Sequence, residues 1–334
     1  MSNQPKVNLS EKFKFGTQLG KGSFATVVVA TEVATGTAYA MKVIDKARCR
    51  GQEEHIVKEI TILKKIRHPN IVQLFDVFET RDKLYLQMEY VTGGELFDRI
   101  VNRGNYTELD ARTLIKSILE AVTYLHRQNI VHRDLKPENL LMAGPNDSPP
   151  PPTPRASDDI DQVKLADFGL ATMAETDFML KTSCGTLTYV APEILRQEKY
   201  GKPVDMWSIG VITYILLCGY PPFWAEDDTG VLELTLRGKF KFFSPDWDSI
   251  TPTAKDFISR LIVVDPSKRM TCEDAIAHPW IAAAEEAPKR VLTSVGDNLV
   301  KNFNAKRRLR VSAMGCAGLV PGCDSFDTIV CSLI

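Results

Sequence analysis

The decisive stretch of this chain is Ile130-Val131-His132-Arg133-Asp134-Leu135-Lys136-Pro137-Glu138-Asn139, with Asp167-Phe168-Gly169 and Ala191-Pro192-Glu193 downstream. Transfer of a phosphoryl group to a hydroxyl needs a carboxylate at the incoming hydroxyl and further oxygen ligands for Mg²⁺. Asp134, Asn139 and Asp167 supply those three groups. We infer a phosphotransfer site, because a purely structural role does not explain this cluster in this order.

A glycine-rich segment lies far upstream, at Gly20-Lys21-Gly22-Ser23-Phe24-Ala25-Thr26-Val27. Glycines allow the backbone to approach phosphate oxygens closely, with N–H groups pointing at them. Taken alone, the segment fits a flexible hairpin turn equally well, because Ala25 replaces the third glycine of the pattern. The strand predicted directly after it argues against a dinucleotide-binding βαβ unit, and no GxxxxGK[ST] motif occurs in the chain.

Lys42 lies on the third predicted strand, where a lysine is usually on a solvated face. The next predicted helix offers Glu59 as a partner, on a different face from the apolar residues of that helix. A buried Lys–Glu pair would hold the ammonium against nucleotide phosphates. Glu53 and Glu54 are alternative partners, although acidic residues at a helix start also interact favourably with the helix dipole.

The hydrophobic pattern divides the chain into a strand-rich part followed by a helical part. Three short strands separated by turns are predicted within residues 13–44, and two more at 71–78 and 82–89. A helix is predicted at 52–66. The capping box Thr107-x-x-Asp110 predicts the start of a helix that ends near Arg127. Further helices are predicted at 205–218, 253–263 and 272–278.

With these motifs in this order, the chain resembles a eukaryotic protein kinase over about residues 13–281. The resemblance implies an α+β fold of two lobes, a small β-rich N-lobe at 13–91 and a larger helical C-lobe at 92–281. It implies ATP and Mg²⁺ as cofactors. Lys136 within DLKPEN resembles Ser/Thr kinases, so protein serine and threonine are the expected acceptors.

The resemblance also assigns the nucleotide site. Four apolar residues would sandwich the adenine, Glu89 and Val91 would hydrogen-bond it through backbone groups, and Met88 would be the gatekeeper. The full expected set is Leu19, Gly20, Gly22, Val27, Ala40, Lys42, Glu59, Met88, Glu89, Val91, Glu138 and Leu141.

In the C-lobe the resemblance makes Asp134 the catalytic base. Lys136 would support the transferred phosphoryl group, and Thr186 would line the catalytic aspartate. Asn139 and Asp167 would bind Mg²⁺. Two further roles are structural: Glu193 would pair with Arg269, and Asp205 would anchor the lobe.

Substrate choice and activation are also implied by the resemblance. Glu95 and Glu138 would face the substrate channel and read a basic residue three positions before the target. Thr182 matches the family's activating threonine, which an upstream kinase would phosphorylate, and Ser183 is the alternative site. Leu187 replaces the usual proline, which leaves the preference at the substrate's +1 position open.

Within the kinases, the chain is most similar to calmodulin-dependent protein kinases, type I especially. The likeness is carried by GGELFDRIVNRGNYTE, by WSIGVITYILLCGYPPF and by the long run from Phe243 to Ile281. A checkpoint-type or calmodulin-independent Ser/Thr kinase is the alternative. A kinase-fold scaffold without activity would lack one of the four phosphate-site residues, and all four are present: Lys42, Asp134, Asn139 and Asp167.

The segment at 282–316 resembles the autoinhibitory and calmodulin-binding segment of those kinases. A basic amphipathic helix suits Ca²⁺-loaded calmodulin, because apolar anchors enter its grooves while cations meet its acidic rims. A nuclear-import cluster and a solvated basic helix are alternatives. The expected calmodulin-binding residues are Leu299, Phe303, Lys306, Arg307, Arg308, Leu309 and Arg310.

Three other segments are set apart from the predicted kinase domain. Residues 1–12 form an N-terminal extension, and 317–334 an apolar tail in which Cys331 is fourth from the end, where prenylation acts. The proline-rich insert at 143–162 is a tolerated surface loop or a docking segment with proline-directed phosphosites.

Composition limits the partners. The 334 residues include 41 Lys+Arg and 42 Asp+Glu, a net charge of -1, which argues against a surface built for nucleic acid. No apolar run reaches the roughly 18 residues of a membrane span. We expect a cytoplasmic location, with the nucleus as an alternative, and membrane association only if Cys331 is prenylated.

Overall fold

A computed structural model describes residues 8–21, 25–49, 53–144, 162–168, 171–173, 187–282 and 290–304. The described residues form a β-rich N-lobe and a helical C-lobe, so the predicted α+β two-lobed fold is confirmed. Within these residues, no helix combines the length and apolar character needed to span a membrane.

The N-lobe is an antiparallel five-stranded sheet in the order β1-β2-β3-β5-β4 with one long helix. Its elements are α1 (Leu9–Lys12), β1 (Phe13–Lys21), β2 (Ala25–Glu32), β3 (Ala38–Asp45), α2 (Glu53–Lys65), β4 (Leu74–Glu79) and β5 (Lys83–Glu89). Alternation along β3 buries Met41 in a small cluster with Phe13 and Phe78, while Ile44 joins the main core. Both faces of the central strand are therefore covered.

The C-lobe consists mainly of helices, several of which pack around the buried helix at Pro203–Cys218. Its elements are α3 (Leu96–Arg103), α4 (Glu108–Arg127), β6 (Ile130–Val131), β7 (Leu140–Met142), β8 (Val163–Leu165), β9 (Thr172–Met173), α5 (Pro192–Leu195), α6 (Pro203–Cys218), α7 (Asp228–Arg237), α8 (Pro252–Leu261), α9 (Cys272–Ala277), α10 (Pro279–Ala282) and α11 (Thr293–Leu299). A π-helical turn at Val300–Asn304 continues α11.

Local sequence explains the two longest helices of this lobe. The predicted capping box at α4 is present, since the Thr107 side chain accepts from the Asp110 N–H and Asp110 accepts from the Thr107 N–H. Helix α6 is apolar on all sides, starts at Pro203 and ends at Gly219, which adopts φ +84. An all-round apolar helix has to lie in the centre of the lobe.

The strand predicted at 71–78 is wrong at its first three residues, because β4 starts at Leu74. Residues 71–73 turn toward the other lobe instead. Ile71 forms a parallel bridge with Leu165, and the Val72 N–H donates to the Leu165 carbonyl at 2.9 Å. An apolar run of this kind does not reveal whether its partner is a strand of its own sheet or of another.

Candidate active site

A buried ion pair joins the sheet of the N-lobe to helix α2. Lys42 Nζ lies 2.8 Å from Glu59 Oε1, and the two side chains are 1% and 3% exposed. The second oxygen, Oε2, has no hydrogen-bond partner among the described residues. Burial raises the pKa of Glu59, and the Lys42 ammonium opposes that shift only in part.

Asp134 and Lys136, two of the predicted catalytic residues, lie with the predicted Mg²⁺ ligand Asn139 in the segment between β6 and β7. Lys136 Nζ lies 2.7 Å from Asp134 Oδ2, and Asn139 Nδ2 donates to the same oxygen at 3.0 Å and to the Asp134 carbonyl at 2.8 Å. All three side chains are buried. Ala166 donates its N–H to the Asn139 carbonyl at 2.8 Å, which places Asp167 directly beside the loop.

Asp205, at the start of α6, anchors this loop through its backbone. Its carboxylate accepts the backbone N–H groups of His132 and Arg133 at 2.9 and 2.8 Å, and contacts His126 Nε2 at 2.8 Å. Burial alone would raise the pKa of Asp205, but these hydrogen bonds and the imidazole charges hold it below its usual range.

Backbone strain marks the same region. Arg133 and Asp167 have φ values of 69 and 63, in the left-handed region that non-glycine residues rarely adopt. Strain of this kind persists where the surroundings determine the conformation, and it concentrates at functional sites. For Arg133, the hydrogen bonds from the loop backbone to Asp205 supply that support.

The residues expected around adenine lie on strands of both lobes and on the segment that joins them. Val27, Ala40, Met88, Val91 and Leu141 are half-buried. Leu19 is 46% exposed, and Gly20 pairs with Val27 across the first hairpin. Their partial exposure leaves apolar surface that a planar ligand would cover.

The backbone of Glu89 has one polar group to offer to a ligand. Its N–H donates to the Gln73 carbonyl at 2.8 Å, so the carbonyl is the group left for an adenine amine. The main-chain contact expected of Glu89 is therefore restricted to accepting a hydrogen bond.

The two acidic residues predicted to read the substrate differ in exposure. Glu138 is exposed, whereas Glu95 is half-buried at the start of α3 and forms an isolated bridge with Leu141. The turn that carries Glu138 packs against α3, so both lie in one region of the C-lobe. Several predicted residues lie outside the described residues: Gly22, Thr182, Thr186, Lys306, Arg307, Arg308, Leu309, Arg310 and Cys331.

The C-terminal helix α11 lies on the C-lobe. Val295 and Leu299 are 0% and 1% exposed, and the helix packs against α3 and α6. Asn298 Nδ2 donates to the Cys218 carbonyl at 2.8 Å, and the ring centroids of Phe303 and Phe97 are 5.0 Å apart. The contact is close, because a Cβ on Gly219 would stand 2.6 Å from the Asn298 Cβ.

Two contacts of this site were absent from the sequence predictions. Asn298 donates to the carbonyl of Cys218, the last residue of α6, and Lys164 on β8 pairs with the Glu89 side chain. Neither carries a motif. The glycine at 219 signals a helix end, but nothing in the sequence indicates which segment covers that end.

Comparison with known proteins agrees with this geometry. The protein kinase domain family matches residues 13–281. The chain belongs to the protein kinase family, and it is a protein serine/threonine kinase.

Similar curated proteins indicate which group of protein kinases the chain resembles. The chain is 48% identical over 303 residues to a calcium/calmodulin-dependent protein kinase type 1 of Macrobrachium nipponense, covering 90% of this chain and 84% of the relative. It is 45% identical over 316 residues to the type 1 kinase of Caenorhabditis elegans, covering 94% and 87%. It is 47% identical over 296 residues to the human type 1B kinase, covering 89% and 82%. The resemblance given by the sequence motifs is confirmed.

Proposed function

We propose that this protein is a calcium/calmodulin-dependent protein serine/threonine kinase, held inactive by its own C-terminal segment. One observation carries the proposal: Leu299, expected to contact calmodulin, is buried against the C-lobe. A side chain cannot fill a groove of calmodulin and a pocket of the kinase at the same time. Calmodulin binding would therefore remove α11 from the lobe.

Docking of the tail affects the substrate side of the cleft. Phe303 contacts Phe97 on α3, two residues from Glu95, and α11 packs against the same helix. Glu95 is proposed to read the basic residue three positions before the target. A tail that holds α3 from the outside would disturb this region, and its release would restore the substrate site.

The chemistry follows from the loop that contains Asp134. Asp134 would accept the proton of the substrate hydroxyl, and the Lys136 ammonium, 2.7 Å away, would stabilise charge on the transferred phosphoryl group. Lys42, held by Glu59, would contact the ATP phosphates. Thr186 would line Asp134.

Asn139 and Asp167 would hold Mg²⁺, which neutralises phosphate charge when bound. The donor set fits this ion, because Asn139 gives its Nδ2 to Asp134 and keeps Oδ1 as an acceptor. Two protein oxygens, completed by phosphate oxygens and water, are typical of Mg²⁺.

Activation and localisation extend the proposal. An upstream kinase would phosphorylate Thr182, and the added charge would pair with Arg133 beside the catalytic loop. The cytoplasm is the proposed location. Prenylation of Cys331 would add membrane association, with the basic residues upstream as the second signal.

Direct binding of calmodulin tests the proposal. We expect calmodulin to bind the full chain only with Ca²⁺, and Phe303→Asp to weaken this binding at least about tenfold by placing a charge in an apolar groove. Thr293→Asp is the matched control, since it adds the same charge at an exposed position of α11. Equal binding with and without Ca²⁺ would exclude calcium dependence. Absence of binding in both conditions would exclude calmodulin dependence.

A further inference from the structure

A buried lysine outside the catalytic motifs joins three segments of the cleft. Lys164 lies in the middle of β8 and is 5% exposed. Its Nζ is 2.7 Å from Glu89 Oε1 and donates to the Pro69 carbonyl at 2.9 Å. A buried ammonium is stable only when it is paired in this way, so its position is closely determined.

The other end of this ion pair is fixed as well. Glu89 is the last residue of β5, where the chain crosses from one lobe to the other. Its Oε2 accepts the Gln73 N–H at 3.2 Å, and its own N–H donates to the Gln73 carbonyl at 2.8 Å. Side chain and main-chain N–H of Glu89 are both held, and its carbonyl is the group proposed to bind the ligand.

Strand β8 is in turn bound to the segment that precedes β4. Asn70 Nδ2 donates to the Val163 carbonyl at 2.9 Å, and the Leu165 N–H donates to the Asn70 carbonyl at 2.8 Å. Asp167 follows β8 by two residues. The strand thus carries the proposed Mg²⁺ ligand at its end and Lys164 in its middle.

We propose that Lys164 is a positioning residue for the nucleotide: through its ion pair with Glu89 it fixes the backbone that binds adenine relative to the strand that leads to Asp167. Lys164 does not touch the reacting atoms. It sets the affinity for ATP and leaves the phosphoryl-transfer step largely unaffected. This inference rests on the adenine contact proposed for Glu89, and it does not depend on calmodulin.

A purely structural ion pair gives a different result. Its loss would lower the free energy of unfolding, while the folded fraction would keep its affinity for nucleotide. A positioning role separates KM for ATP from kcat, because it acts on binding common to the ground state and the transition state. The ratio of the two effects therefore distinguishes the roles.

The test uses the full chain with Ca²⁺/calmodulin and saturating peptide substrate. We expect Lys164→Met to raise KM for ATP about tenfold and to change kcat less than about threefold. Glu89→Gln should raise KM in the same direction, and Lys164→Arg should restore part of the affinity, because a cation remains. Lys268→Met, at an exposed lysine that pairs with Asp265, is the matched control and should leave KM unchanged.

Titration of each variant with Mg·ADP makes the outcome independent of activity and of calmodulin. A weaker Mg·ADP affinity in Lys164→Met and Glu89→Gln supports the proposal, and the double variant should lose little more than either single variant. Unchanged affinity, or a fall in kcat as large as the rise in KM, overturns it. If Lys164→Met does not fold, Glu89→Gln decides. A wild-type chain that binds Mg·ADP without responding to calmodulin would contradict the proposed function alone.

Discussion

Two buried ion pairs, one in each lobe, have similar lengths and differ in how completely their atoms are satisfied. Lys42 and Glu59 meet through one contact of 2.8 Å, and Glu59 Oε2 has no partner among the described residues. Arg269 binds both oxygens of Glu193, at 2.7 and 3.0 Å. It also donates to two backbone carbonyls and lies over the Trp207 ring.

The difference separates a structural pair from a functional one. A bidentate arginine whose three nitrogens all donate hydrogen bonds cross-links α5, the start of α6 and the loop before α9. Opening it would leave buried charges in an apolar interior. The N-lobe pair leaves one carboxylate oxygen unsatisfied, so its closed form is less favoured. A pair of this kind suits a site that ligands and regulation must influence.

The largest expected effect is on the C-lobe pair. Arg269→Met should lower the free energy of unfolding by about 3–5 kcal/mol, because Glu193 would stay buried without its partner. Urea unfolding of the variant measures this loss. Lys268→Met, at the neighbouring exposed lysine, should change stability by less than about 0.5 kcal/mol. Similar urea midpoints for both variants would show that the Arg269–Glu193 pair does not stabilise the fold.

Loss of the N-lobe pair should reduce activity strongly and stability less. Lys42→Met should lower kcat at least about 100-fold, because no ammonium would contact the phosphates. It should cost less stability than Arg269→Met, since a raised pKa already makes it easier for Glu59 to take up a proton and become neutral. Parallel unfolding and peptide-phosphorylation measurements separate the effects. A stability loss equal to that of Arg269→Met would contradict the comparison.

The pH dependence of stability tests whether Glu59 has a raised pKa in the folded chain. The pKa of Glu59 is raised by burial above its ordinary 4.5, so between pH 4.5 and the raised pKa the folded chain keeps a proton that the unfolded chain releases. Stability from this group is full below 4.5 and is lost as pH rises through the raised pKa. Glu59→Gln lacks that loss. Its stability relative to wild type should therefore improve on going to higher pH.

If the difference between wild type and Glu59→Gln were constant across this range, the carboxylate would have its ordinary pKa in the folded state. The unsatisfied oxygen would then have no energetic consequence, and the contrast between the two pairs would lose one of its supports.

The smallest effect concerns α11, which Asn298 and the buried Val295 and Leu299 attach to the C-lobe. Asn298→Ala removes the hydrogen bond to the Cys218 carbonyl, which contributes about 1 kcal/mol. Activity without Ca²⁺ should rise about fivefold, because the docked state loses that much free energy. Thr293→Ala, at an exposed position of the same helix, should leave the basal activity unchanged. No rise in Asn298→Ala would show that this contact does not hold the tail.

Much of this arrangement could be predicted, because motifs define both spacing and chemistry. Lys42 and Glu59 were paired from a strand and the next helix, and the capping box at Thr107 marked the start of α4. The pairing of Ile71 and Val72 with Leu165 and the Lys164–Glu89 ion pair could not be predicted. Both depend on which segment of the other lobe lies alongside, and that is set by tertiary packing rather than by local pattern.

The contact between Asn298 and the end of α6 was beyond the sequence for the same reason. Leu299 and Phe303 were expected from the resemblance to contact calmodulin, and the structure places them, together with Val295, toward the C-lobe. The polar residue between them has no periodic signal. Its role follows from the close approach at Gly219, where any side chain would collide with the helix.

The central claim is that α11 holds the kinase inactive until calmodulin removes it. Peptide phosphorylation by the full chain, and by a chain truncated after Ala287, measured with and without Ca²⁺/calmodulin, tests it most directly. The full chain should be weakly active alone and strongly activated by Ca²⁺/calmodulin, and the truncated chain should be active in both conditions. Equal calcium-free activity of the two chains, with no response of the full chain to calmodulin, would contradict the account.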